Sequence, residues 1–120
     1  MAHAKANTSA GLTPFRSIDL DESEEAVKGS PGFIYFVRMH NLAAARRYVK
    51  FYDATVTGTI VGTTTPTVTI PMEANSGEVW DIPEGWAFTT AITVAATTAL
   101  ADNDTGAPSA GDVVINVLFA

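Results

Sequence analysis

Between residues 46 and 98 the chain is a succession of strand-length runs rich in Thr, Val, Ile and aromatic side chains, broken by Gly, Pro and Asn. β-Branched and aromatic residues suit a pleated, half-buried surface, and Gly, Pro and Asn supply the backbone angles that turns need. No amphipathic helical run of useful length competes with this pattern. Such a chain is confined to all-β architectures.

Period-two alternation extends the reading to both sides of the block. Over residues 15–21, Ile18 and Leu20 share one phase and Ser17, Asp19 and Asp21 the other, as in a half-buried strand. Residues 24–28 read as a short edge strand before the turn at Gly29, Ser30, Pro31 and Gly32. Residues 33–41 form a long central strand, with Phe33, Tyr35, Val37 and Met39 on one face and Ile34, Phe36, Arg38 and His40 on the other. Residues 42–47 are open to two readings, a short helix capped by Asn41 or a turn.

Further strands are expected at 47–53, 67–72 and 78–82, then a turn at Pro83, Glu84 and Gly85, one long strand at 86–98, and a last strand at 112–119. The expected fold class is therefore all-β: an antiparallel β-sandwich of about eight strands, a jelly roll among its arrangements, over residues 14–120. Residues 1–13 hold almost no large apolar side chain and read as an extended N-terminal arm. The expected core comprises Val37, Val49, Phe51, Ile70, Phe88, Ile92, Val94, Ile115 and Val117.

Composition narrows the chemistry. The 120 residues suit one domain, and without cysteine there is no disulfide, thiolate metal site or cysteine nucleophile. With 13 acidic against 7 basic side chains the net charge is −6, which disfavours free nucleic acid as a partner. No run approaches a membrane span, and the first fifteen residues are read as carrying no export leader.

Catalytic residue types are scarce. The histidines are His3 and His40, and a set of Ser30, His40 and Asp53 has no spacing to support it. Glu73, Glu78, Asp81 and Glu84 read as solvated hairpin ends rather than a carboxylate pair for glycosidic chemistry. The loop of Asp102, Asn103, Asp104, Thr105 and Gly106 offers hard oxygen ligands, but its glycine comes one residue early for an EF-hand and Val113 stands where a bidentate Glu belongs. Gly58 and Gly62 lack the Lys-Ser/Thr ending of a phosphate loop. Aromatics interleave with the basic residues as in single-strand binders, yet they follow strand phase and read as core. No catalytic residue, cofactor or metal is expected.

Charge is unevenly spread. Asp19, Asp21, Glu22, Glu24 and Glu25 form an acidic stretch, and Arg38, Arg46, Arg47 and Lys50 a basic one. Opposed patches on a small chain suit self-association or a charged protein partner, so Arg38, Arg46, Arg47, Lys50, Asp19 and Asp21 are the candidate partner-binding residues. The competing reading is ordinary solvated surface.

Several motifs together carry a resemblance. They are Ser30-Pro31-Gly32, the strand end at Asn41, AARRYVKFYD at residues 44–53, VGTTTPTVTIP at 61–71 and GWAFTTAITVAAT at 85–97. On these motifs the stretch from Phe15 to Phe119 resembles small β-sandwich virion proteins of tailed bacteriophages. It departs from the pattern at Trp86, where a smaller aliphatic is common, and at Ala91, where Gly is common.

The resemblance implies a non-enzymatic structural protein of the virion, made in the host cytoplasm. It leaves the position in the particle open; the compact domain and the polar arm favour capsid decoration, as a homo-oligomer held against the major capsid protein, with neither nucleic acid nor membrane as partner. Head–tail, tail and fibre-associated positions are alternatives. So is a carbohydrate-binding sandwich using Tyr35, Tyr48, Tyr52, Trp80 and Trp86 as stacking platforms.

Overall fold

The computed structural model describes residues 11–120. It contains eight strands: β1 (Thr13–Ser17), β2 (Glu25–Lys28), β3 (Gly32–Asn41), β4 (Arg47–Tyr52), β5 (Val68–Met72), β6 (Ser76–Phe88), β7 (Ile92–Thr97) and β8 (Val113–Phe119). They form two antiparallel four-stranded sheets, one ordered β1-β8-β3-β6 and the other β2-β7-β4-β5. The pairing is nested: β1 with β8, β2 with β7, β3 with β6 and β4 with β5. That is the strand order of a jelly roll, two Greek keys rolled into a sandwich.

All nine expected core residues are buried between the sheets, joined by Leu20, Ile34, Met39, Met72, Ala96, Val113 and others. Three strand readings are corrected. The first strand ends at Ser17, so Ile18 is 53% exposed while Leu20 turns inward and its N–H donates to the Val113 carbonyl at 3.1 Å. Thr13 already pairs with Phe119, one residue before the expected domain start; the arm over residues 1–10 lies outside the described residues.

In β3 a bulge at Tyr35 resets the phase. Ile34 therefore faces the core together with Val37 and Met39, and Phe33 is 41% exposed.

The third correction concerns Pro83, Glu84 and Gly85. They do not separate two strands. Ile34 pairs with Trp86 and Phe36 with Asp81, so the residues from Ile82 to Gly85 bulge out of β6 opposite Tyr35 alone. β6 is an edge strand, where a proline forfeits no ladder bond. Gly85 adopts φ +79°, and a Cβ there would lie 3.0 Å from the Tyr35 ring. The actual break falls at Thr89 to Ala91, where the chain crosses from one sheet to the other.

Asp53 makes that crossing. Its carboxylate accepts hydrogen bonds from the Thr89 N–H and hydroxyl, both 3.0 Å, the Thr90 N–H at 2.8 Å and the Ala91 N–H at 3.4 Å. Burial pushes its carboxyl pKa up, but these donors outweigh burial and hold it below the ordinary value. The stabilisation is therefore present above the unfolded carboxylate pKa of about 3.9 and fades as pH falls through the folded value. Asp53→Asn should be less stable than the parent at pH 7, with the gap narrowing below about pH 4 in urea titrations. A gap independent of pH would mean that the carboxylate's charge plays no part.

Residues 42–46 form no helix; the chain bends at 43–45. Asn41 organises them from a fully buried position. Its Nδ2 donates to the carbonyls of Ala45 (2.9 Å), Met72 (3.3 Å) and Glu73 (3.0 Å), and its Oδ1 accepts from the Ala43 N–H (3.0 Å).

Candidate interaction surface

The two outer faces of the sandwich differ. On the two central strands of the β2-β7-β4-β5 sheet the outward residues are Tyr48, Lys50 and Tyr52 of β4, level with Thr97, Ala95 and Thr93 of β7, while Ala26 of β2 and Pro71 of β5 stay exposed at the sheet's edges. All six central residues are buried. The β4–β5 and β7–β8 connections fold back over them. Thr93 Oγ1 donates to the Ala54 carbonyl at 2.7 Å, Thr97 Oγ1 to Ala99 at 2.9 Å, and Lys50 Nζ to Ala101 at 2.7 Å.

Lys50 is thus withdrawn from solvent and is no part of a basic patch, contrary to expectation. Burial pulls its pKa down, while Asp104 and Asp102 act in the opposite sense. Burial also pushes the Tyr52 phenol up to about 12, with Asp102 and Glu24 adding to the shift.

The outer face of the β1-β8-β3-β6 sheet has no such cover among the described residues: none of its outward positions is buried. Register places Pro14, Leu118, Phe36 and Asp81 in one row across the four strands. The next row is Arg16, Asn116, Arg38 and Val79. His40 lies one row further, beside Val114, and Phe33 stands opposite Ala87. Phe33 and Val79 are 41% and 60% exposed, and Phe36 and Leu118 are half-buried. Aromatic side chains and arginine on one flat face are the composition of protein interface cores.

The basic stretch read from the sequence does not form one patch. Arg46 pairs with Glu73 at 3.0 Å, both well exposed. Arg47 pairs with Asp112 at 3.1 Å, both side chains 16% exposed. Of the four, only Arg38 reaches the open face, in one row with Arg16, which sequence reasoning misses. Neither Arg16 nor Arg38 makes an ion pair among the described residues. Arg16 was detectable in part, since it alternates with Phe15. Its neighbourhood with Arg38 exists only because β8 lies between β1 and β3.

No family model matches the chain, and neither a curated protein nor a solved structure does.

Asp19 and Asp21 sit on the β1–β2 connection. Ser17 Oγ donates to Asp19 at 3.5 Å, and the Ser23 N–H donates to Asp21 at 2.9 Å. Beyond them Glu22 and Glu24 wall a groove of about 280 Å3 with Thr59, Ile60, Val61 and Thr105.

The remaining candidates fall apart in space. Asp53 is bound to the 89–91 corner and Ser30 precedes Gly32, which pairs with Phe88 near that corner. His40 lies at the other end of β3, opposite Gly77. Asp104 spends one carboxylate oxygen on the Ala99 and Gly106 amides, which makes it a loop brace.

Proposed function

We propose that this is a non-enzymatic structural protein of a tailed-phage virion, a decoration or cement protein that stabilises the capsid surface through repeated contacts. The observation that carries the reading is the contrast between the two outer faces. One sheet is covered over its two central strands by its own connections, and the other offers Phe33, Phe36, Val79, Arg16 and Arg38 to a partner. The motif resemblance at residues 30–32, 44–53, 61–71 and 85–97 supplies the particle. Jelly rolls recur among viral capsid domains and lectins alike, so the fold is compatible with the proposal without deciding it. Repetition on a symmetric shell turns a modest contact into strong retention.

The test is co-sedimentation with particles that lack the protein, followed by electron microscopy of the decorated particles. The expected result is saturable binding, with added density at regular shell positions. Density confined to the neck or tail would move the protein to a head–tail or tail position, and no binding would overturn the reading.

One observation favours a second reading. Trp80 is 41% exposed on edge strand β6, its ring 6.0 Å from Trp86, an aromatic pair of the kind on which a glycan stacks. Tyr48 and Tyr52, also considered for that role, are buried. Quenching of Trp80 fluorescence by host polysaccharide would support glycan binding.

A further inference from the structure

We infer that the open sheet face docks a second copy of this chain, the Arg16–Arg38 row of one copy lying against the Glu22–Glu24 groove of the next. The inference rests on reading the open face as an assembly surface, and it names the partner.

Charge accounting leads to it. The seven basic side chains are Lys5, Arg16, Lys28, Arg38, Arg46, Arg47 and Lys50. Lys5 lies outside the described residues. Arg46 and Arg47 are neutralised internally and Lys50 is buried. Of the remaining three, Arg16 and Arg38 share one row of the open face, two strands and so about 10 Å apart, with Asn116 between them. In a chain of net charge −6, the surface that complements this row is abundant on the chain itself.

The groove supplies the shape. Glu22 and Glu24 offer carboxylates, and Ile60, 61% exposed, and Val61 offer apolar wall. An arginine stem packs on such a wall while its guanidinium takes the carboxylates. The groove residues lie on the β1–β2, β4–β5 and β7–β8 connections, whereas the arginine row is on the outer face of the other sheet. The contact is therefore heterologous: it uses two different surfaces and closes into a ring or extends into a chain.

Size sets the strength. Four strands about 4.8 Å apart and the 7 residues of β8 give a face of roughly 400–500 Å2 in plan. That is the scale of a weak contact, so association is expected to depend on concentration.

Sedimentation of the purified chain, in a series reaching about 1 mM, is expected to show self-association, weakened in part by salt because only the ionic component is screened. R16E/R38E and E22K/E24K should each weaken it about tenfold or more, with circular dichroism unchanged. A chain carrying all four reversals should associate again. A monomer at every concentration, or association indifferent to R16E/R38E, would overturn the inference. Failure of the fourfold reversal to restore association would overturn the pairing with the groove. The same variants on particles separate the two readings. Particle binding by a chain that never self-associates refutes this inference and leaves decoration standing; self-association without particle binding does the reverse.

Discussion

Asn41→Ala is expected to lower the unfolding free energy by about 3–5 kcal/mol, although it removes no apolar surface. The amide is fully buried and ties together the end of β3, the bend before β4 and the end of β5. Its loss leaves the carbonyls of Ala45, Met72 and Glu73 and the N–H of Ala43 without this partner. Each orphaned buried group costs about 1–3 kcal/mol, and relaxation of the bend returns part of the sum. Asn41→Asp keeps the acceptor for Ala43 but turns a carboxylate towards three carbonyl oxygens, so it should lose at least as much. Denaturant unfolding measures both. A loss under about 1 kcal/mol for Asn41→Ala would show that water takes the amide's place.

Asn41 also marks how far the sequence could be read. Its position at a strand end was legible, as were strand number, fold class and every expected core residue, because alternation between Val, Ile and polar residues survives any choice of partner strand. What failed depends on distant contacts. The corner at Thr89 and Thr90 has no Gly, Pro or Asn to announce it. It is held by Asp53, 36 residues away in sequence from Thr89, so a local reading runs one strand through it. The converse error came from Pro83 and Gly85, whose turn chemistry builds a bulge inside an edge strand. Arg46, Arg47 and Lys50 are near neighbours in sequence. Strand alternation, two internal ion pairs and a covering loop send them to three different fates. Reversing Arg46 and Arg47 to Glu would therefore break both bridges and report on folding as much as on association. The open face needed β8 placed between β1 and β3, and no residue pattern states that order.

Phe51→Ala should destabilise the domain by about 3–5 kcal/mol through lost burial and the cavity left behind. Phe51 is fully buried in β4, level with Val68 of β5 and Val94 of β7. Its ring meets Trp86 of β6 edge to face, centroids 6.0 Å apart at 71°. The contact crosses the sandwich, since β4 and β6 belong to different sheets. Collapse of one sheet onto the other cannot fill the gap without disturbing the β3–β6 register. Phe51→Leu keeps most of the volume and should cost about 1–2 kcal/mol, of which the lost aromatic pairing accounts for roughly 0.5–1.5. In a Trp80→Phe background, Trp86 emission should shift red in Phe51→Ala even where the chain remains folded, as water reaches the indole. Equal costs for the Ala and Leu variants would mean that the cavity closes. Phe51 lies on the inner side of the sandwich and the arginine row on the outside of the other sheet. Phe51→Ala should therefore leave self-association unchanged at temperatures where it is folded, whereas R16E/R38E should weaken association at unchanged stability. That opposition separates what holds the fold from what the open face binds.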